Sequence, residues 1–275
     1  MIPYLSPEYT LLLKAGPIEI HLFGILVAIC ILVGAERTRF RARQLGLDDV
    51  ATSTLTTWIV VWGFIIGHLF DVLAYQPAEL VKLPLLQALA LLVNPGRGLS
   101  SFGGFLGSLG ALLFWTKKHR EPTLKHADAL FYGLPFGWFF GRLGCFTAHD
   151  HPGAFTEFFL GVKYPEGTRH DLGLDEALLA LALAIVFFIL SRKPRPLGLY
   201  GALMCSFYGP VRFGLDFLRV QDMSGADPRY LGLTPAQYGS IGVTMAGLFI
   251  ASYVLRAPRT PPATASGGSV DPGPT

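Results

Sequence analysis

Two arginines, Arg142 and Arg212, lie inside apolar stretches of this chain, and their chemistry is the first thing to explain. Arg142 occupies Phe-Phe-Gly-Arg-Leu-Gly-Cys-Phe at 139–146, and Arg212 occupies Tyr-Gly-Pro-Val-Arg-Phe at 208–213. A guanidinium stays charged at any reachable pH, so hydrocarbon cannot silence it by deprotonation. Placing one on a membrane-spanning helix costs roughly 2.5–3.5 kcal/mol on insertion scales unless an anion, water or a partner offsets it. Gly141 and Gly144 flank Arg142 and leave room for backbone or a ligand head group to approach. The two arginines point to a polar cavity that receives an anion at membrane depth, where a lipid phosphate is the anion at hand. Snorkelling of Arg142 to the interface is the plainer alternative.

Other residues add to this picture. Arg212 and Asp216 are spaced i and i+4, so on one helix they share a face and can pair. A structural ion pair and a ligand site are both open readings there. Gly103 and Gly104, in the run 100–107, permit tight helix packing or an irregular entry loop beside a cavity. His149-Asp150-His151 supplies imidazoles that titrate near neutrality, candidate general bases at the membrane surface. Alternating residues provide only part of a metal shell, and no His-x-x-x-His pair or cysteine partner accompanies them, so no metal is expected. Cys30, Cys145 and Cys205 are widely spaced and fit no zinc or disulfide pattern. No cofactor is expected.

The elements that must position these groups follow from composition. Of 275 residues, 51% are hydrophobic and only 15% charged, and the mean hydropathy is +0.46. Soluble domains carry about 25% charged residues, so the chain reads as an all-α integral membrane protein. Seven apolar segments are near the roughly 20 residues needed to span: 17–35, 52–74, 99–116, 127–146, 174–191, 197–217 and 236–255. The run 83–93 carries Pro84 and is too short, so it reads as an interfacial or re-entrant piece. The first segment starts late and lacks a basic region before it, so no cleavable signal is expected. The membrane domain is placed at 1–256. The Pro/Ala/Ser/Gly/Thr-rich remainder, 257–275, reads as a disordered cytoplasmic tail.

Lysine and arginine orient the spans. Thirteen of the 22 follow spans one, three, five and seven, including Arg37, Arg39, Arg41 and Arg43; seven lie on the opposite side. The positive-inside rule then places the N-terminus outside and the C-terminus in the cytoplasm, with both membrane arginines in the outer half. A seven-span retinal-type receptor or pump is disfavoured, because the last span holds no lysine for a Schiff base.

These segments together resemble the prolipoprotein diacylglyceryl transferase family, over nearly the whole chain to about residue 255. The run 16–24 is similar to the family's G-P-x-x-x-H-x-Y-G, and 100–107 to its S-F-H-G-G-x-x-G. Pro135-Phe136-Gly137 with the run 141–146 is similar to P-x-G…G-R-x-G-N-F. Arg169-His170 with Glu176 is similar to R-H-P-S-Q-L-Y-E, the run 208–219 to Y-G-x-x-R-x-x-x-E-F-x-R, and Gln237 to the glutamine opening the family's last span.

The resemblance implies a bacterial inner-membrane, multi-pass enzyme. It would move a diacylglyceryl group from phosphatidylglycerol to a cysteine thiol near the end of a prolipoprotein signal peptide, with no nucleic-acid partner. Arg142 would hold the lipid phosphate and Arg212 would stabilise the departing phosphate charge. Gly103, Gly104, Gly141 and Gly144 would admit the head group. The attacking thiol belongs to the substrate, so no cysteine of this chain need be a nucleophile. The departures are Phe102 for the family's histidine, Phe23 for its tyrosine, Cys145 for the signature asparagine and Asp150 for the usual glutamate. Asp175 replaces the tyrosine before Glu176, and the Pro-Ser-Gln run is absent. His149, Asp150 or His151 would then supply the base that Phe102 cannot. The alternative is a lipid-binding or otherwise repurposed paralogue that keeps the phosphate cradle and transfers nothing to lipoproteins.

Overall fold

The structure, a computed structural model, describes residues 1–6, 10–15, 18–94, 98–220 and 227–256. Gly16-Pro17 of the first motif, Arg97 of the charge pattern and the expected tail 257–275 lie outside the described residues. Each of the seven expected segments falls on a long helix. These are α1 (Leu22–Gln44), α2 (Asp49–Tyr75), α5 (Ser101–His119), α6 (Thr123–Ala148), α7 (Leu172–Leu190), α8 (Leu199–Leu215) and α9 (Pro235–Arg256). Between α2 and α5 lie the short helices α3 (Pro77–Lys82) and α4 (Leu85–Val93), the latter matching the run judged too short to span. Among the described residues three helices, α2, α7 and α9, are long and apolar enough to cross a membrane. Their outward side chains and those of neighbouring helices are bare: Leu32 is 68%, Met245 66% and Phe249 74% exposed. Apolar surface on this scale does not face water in a stable monomer.

The chain is mostly helical, in keeping with an all-α membrane protein, and two details depart from the sequence reading. A four-stranded sheet has the order β1-β5-β6-β4, built from Ile2–Pro3, Val162–Tyr164, Gly167–Asp171 and Pro152–Phe155, and β2 (Leu11–Ala15) forms a hairpin with β3 (Ile18–His21). Strands of two to five residues are too short to show a period-two pattern. The first helix also begins and ends later than 17–35. It runs through Arg37, Arg39, Arg41 and Arg43, which therefore ride on its final turns rather than in a loop. Arginine is a good helix former, and cations suit the negative end of a helix.

Arg41 shows why the helix extends. It is 4% exposed, and its Nε and Nη2 donate to Asp128 Oδ2 at 3.0 and 2.8 Å. Asp128 Oδ1 accepts the Gly198 N–H at 2.8 Å, so one carboxylate ties α1, α6 and the start of α8. Asp128 precedes Arg142 by fourteen residues on α6, about 21 Å along a helix, so this clamp sits at the opposite end of the bundle from Arg142.

Helix starts are capped as their sequences direct. Asp48 accepts the Ala51 N–H at 2.7 Å ahead of α2, and Asp171 accepts the Leu174 N–H at 3.1 Å ahead of α7. Small residues bring helices together in pairs. A Cβ on Gly137 of α6 would stand 2.5 Å from the Cys30 carbonyl oxygen of α1, and one on Gly107 of α5 would stand 2.3 Å from the Trp62 carbonyl oxygen of α2. The pairs α1/α6 and α2/α5 are each tight, and a cavity opens between them.

Candidate functional site

The end of α6 brings the first arginine to this cavity. Arg142 is 4% exposed, and its guanidinium lies 4.9 Å from the centre of the Trp138 ring one turn earlier. Its Nη2 donates to Ser101 Oγ at 3.3 Å and stands 3.0 Å from Glu176 Oε2. Its Nη1 donates to Cys145 Sγ at 3.9 Å. Nε meets no acceptor among the described residues.

Glu176, in the first turns of α7, is fully buried and joins the two arginines. Its Oε1 lies 3.3 Å from Arg212 Nε, and its Oε2 accepts the Tyr208 hydroxyl at 2.9 Å. Arg212 Nη1 in turn donates to Asp216 Oδ1 at 2.5 Å, the i,i+4 contact expected from spacing. Thr234 donates its hydroxyl to Asp216 Oδ2, and Gln237 Oε1 accepts the Thr234 N–H at 3.0 Å, linking the network to α9. Two guanidiniums and two carboxylates thus form one neutral chain. Removing one member of such a buried set strands its partner, at a cost of about 3–5 kcal/mol.

The cavity has a volume of about 670 Å³ and is walled by α1, α2, α5 and α6. That is within the roughly 300–1,000 Å³ usual for ligand pockets. Ser101, Arg142, Cys145, Asp150 and His151 are its polar lining at one end, and Ile59, Val60 and Leu130 belong to its apolar length.

The sequence candidates divide on this geometry. Arg142, Gly104, Gly141, Asp150 and His151 line the cavity. Gly103 and Gly144 do not. A Cβ on Gly103 would lie 2.4 Å from Phe70 Cβ, and one on Gly144 would lie 3.2 Å from the Phe23 ring, so both serve helix packing rather than head-group entry. Arg212 is 3% exposed and does not line the cavity. It is held between Glu176 and Asp216, so among the described residues its link to the cavity wall runs through Glu176 to Arg142, not through the direct contact expected of it.

His149 also requires correction. It ends α6 in the left-handed conformation, with φ of 50°. Its Nε2 accepts the Leu5 N–H at 3.2 Å, its Nδ1 donates to Asp171 Oδ2 at 3.0 Å, and its ring stacks on Tyr4 with centroids 4.2 Å apart. With both nitrogens engaged, the ring fastens the N-terminal segment to the start of α7. His149→Gln is expected to lower stability by about 1–3 kcal/mol, since it leaves buried groups unsatisfied. Thermal unfolding in detergent checks this, and an unchanged midpoint would remove the fastening role.

Asp150 and His151 behave differently. His151 Nδ1 pairs with Asp150 Oδ1 beside the cavity, and Nε2 has no partner among the described residues. Burial pushes the Asp150 carboxyl up, but the His151 hydrogen bond and the nearby charges of His151, Arg142 and Arg219 outweigh it and hold the group below the usual carboxylate range.

Phe102 is 5% exposed and presses its ring against Gly239 of α9, edge-on to Phe105, rather than lining the cavity. Ser101 takes the wall position beside it. Ser101 and Tyr208 were not singled out by sequence, and Glu176 entered only through a motif. The available signal for Glu176 was the acidic pair Asp175-Glu176 at the start of the otherwise apolar run of α7, which does not by itself say which of the two meets the arginines.

A helical membrane protein with a buried arginine–carboxylate chain beside a mostly apolar cavity of about 670 Å³ is the class that this fold and site define. Comparison with known proteins makes it specific. Residues 10–253 match the family model of prolipoprotein diacylglyceryl transferase, and the chain belongs to that transferase family. Proteins named phosphatidylglycerol–prolipoprotein diacylglyceryl transferase are similar to it along almost their whole length. The one from Stenotrophomonas maltophilia is 29% identical over 280 residues, covering 91% of this chain and 93% of the relative. One from Acinetobacter baumannii is 29% identical over 253 residues, covering 88% and 90%. One from Solidesulfovibrio magneticus is 29% identical over 264 residues, covering 93% and 97%.

Proposed function

We propose that this chain transfers the diacylglyceryl group of phosphatidylglycerol to the thiol of a prolipoprotein cysteine at the end of its signal peptide. The observation that carries this reading is Arg142, a buried cation with unused donors on the wall of a long, mostly apolar cavity. A lipid phosphate accepts from the Arg142 guanidinium while its chains lie along the Ile59, Val60 and Leu130 wall. The acceptor thiol enters beside Asp150 and His151. A free cysteine has a pKa near 8.5, so a base at this point raises the thiolate fraction. His151 Nε2 takes the thiol proton, and Asp150 on Nδ1 steadies the imidazolium. Sulfur then attacks the glyceryl carbon, the carbon–oxygen bond to phosphate breaks, and its electron pair leaves on the phosphate oxygen. Glycerol phosphate departs, receiving the proton from His151. Phe102 lies away from the cavity wall, so its presence in place of a histidine takes no group from that wall.

Seven spans, an external N-terminus and a cytoplasmic C-terminus in the bacterial inner membrane complete the reading. They rest on the asymmetry of thirteen to seven basic residues and on the seven long helices. A reporter active only in the cytoplasm, fused after Arg256, is expected to work. Silence there, with an active periplasmic reporter at the same site, would overturn the orientation.

The direct test is purified protein in vesicles containing phosphatidylglycerol, with a peptide bearing a signal-peptide cysteine. Mass spectrometry is expected to show a thioether-linked diacylglyceryl on the peptide and free glycerol phosphate. Binding of phosphatidylglycerol without any transfer would leave the repurposed, lipid-binding alternative.

A further inference from the structure

Spacing alone showed two histidines and an aspartate without the further donor that a metal shell needs. Folding supplies it. Cys145 stands at the end of α6, and its Sγ, a carboxylate oxygen of Asp150 and a ring nitrogen of His151 lie within 4.8 Å of one another. All three residues line the cavity. Thiolate, carboxylate and imidazole are donors that zinc accepts in open sites, where three protein ligands leave a fourth position for a reactant. We propose that Cys145, Asp150 and His151 bind one divalent cation of the zinc class, whose fourth position faces the cavity and holds the acceptor thiolate. This deepens the transferase reading and rests on it for the identity of the thiol.

Geometry and charge both favour the site. Zinc ligands at bond lengths of about 2.0–2.3 Å stand roughly 3.5 Å apart around a tetrahedron, so the widest of these separations must close by about 1 Å while the hydrogen-bonded Asp150 and His151 move apart. Cys145 is fixed on a helix, but Asp150 and His151 follow its end, with side chains 43% and 20% exposed, and have room to shift. Arg142, Glu176, Arg212 and Asp216 already balance one another. Ligation would turn Cys145 into a thiolate beside the Asp150 carboxylate, and a divalent cation cancels the two negative charges.

The chemistry suits the reaction. The acceptor thiol binds the cation as thiolate, and its proton leaves to water through the exposed side at Asp150, replacing transfer to His151. The metal-bound sulfur forms the carbon–sulfur bond as the carbon–oxygen bond to phosphate breaks. The product thioether is a neutral, weaker ligand and is released.

The test titrates metal-stripped full-length protein in detergent with Co²⁺ and follows absorbance. A cobalt–thiolate charge-transfer band saturating at one cobalt per chain is expected. It should survive in a Cys30→Ser, Cys205→Ser double variant and vanish in Cys145→Ser, with His151→Gln weakening cobalt binding at least about tenfold, as loss of a ligand or its support does. No band in the wild-type protein, or an undiminished band in Cys145→Ser, would overturn the site. Transfer is then measured on the stripped protein with and without Zn²⁺. Loss on stripping and recovery with zinc supports the role. Full transfer by protein shown by elemental analysis to hold no metal overturns that role and leaves the transferase reading standing. Cobalt binding at Cys145 with no transfer under any condition supports the site and overturns the transferase reading instead.

Discussion

Arg142→Ala is expected to reduce transfer from phosphatidylglycerol by roughly 10²–10³-fold, the loss that follows removal of one preorganised donor to a developing oxyanion. The guanidinium is buried, lies against the Trp138 ring and is steered by Ser101 and Glu176, so it is held in one orientation for the phosphate it is proposed to bind. Arg142→Lys keeps the charge but not the planar fork, so it should fall between the wild type and the alanine variant. An ammonium cannot hold Glu176 and Ser101 while presenting a second pair of donors to the cavity. Both variants also weaken the buried ion chain, so transfer must be compared per folded protein, alongside a phosphatidylglycerol binding isotherm. Equal binding and equal transfer by the wild type, Arg142→Lys and Arg142→Ala would end the phosphate role.

The second large effect is at Glu176. Glu176→Gln leaves Arg142 and Arg212 as buried like charges without the carboxylate between them, and a loss of about 3–5 kcal/mol in stability is expected. Arg212→Gln should cost a comparable amount, because it exposes Glu176 and Asp216 to the same imbalance. The double variant is expected to be less destabilised than the sum, by about 1 kcal/mol or more of coupling. Asp216→Asn should be milder, since Thr234 and Arg212 can still hydrogen bond to an amide. Additive losses in denaturant unfolding would show that the four charges do not act as one chain. Transfer by Arg212→Gln is expected to fall along with Arg142 positioning, seen as weaker lipid binding as well as a lower rate. A rate loss with unchanged lipid binding would instead place Arg212 directly on the leaving phosphate.

What the sequence determined by itself was the class of protein and the positions of its long helices. Length and hydropathy are local properties, so seven apolar runs could be read one at a time, and the nine-residue helix α4 could be told from a span. The family was legible too, because Arg142, Arg212 and their flanking glycines keep their order and spacing. The i,i+4 pairing of Arg212 with Asp216 was equally local, since one helical turn sets it. The short strands were not legible, because strands of two to five residues hold too few alternations and depend on partners such as Val162 against Ile2, far away in sequence.

Only the tertiary structure decided which groups share the site. The rotation of each helix about its axis is set by packing, so a sequence cannot say which side of Arg142 meets α7. That packing places Glu176 against an arginine 34 residues earlier and another 36 later. It turns Gly103 and Gly144 into contacts between helices, leaving Gly104 and Gly141 on the cavity wall. Of two histidines a single residue apart, it ties His149 to Leu5 and Asp171 and leaves His151 at the cavity with Cys145. Neighbours along the chain can face different surroundings once a helix ends between them, and the left-handed turn at His149 is where this one ends.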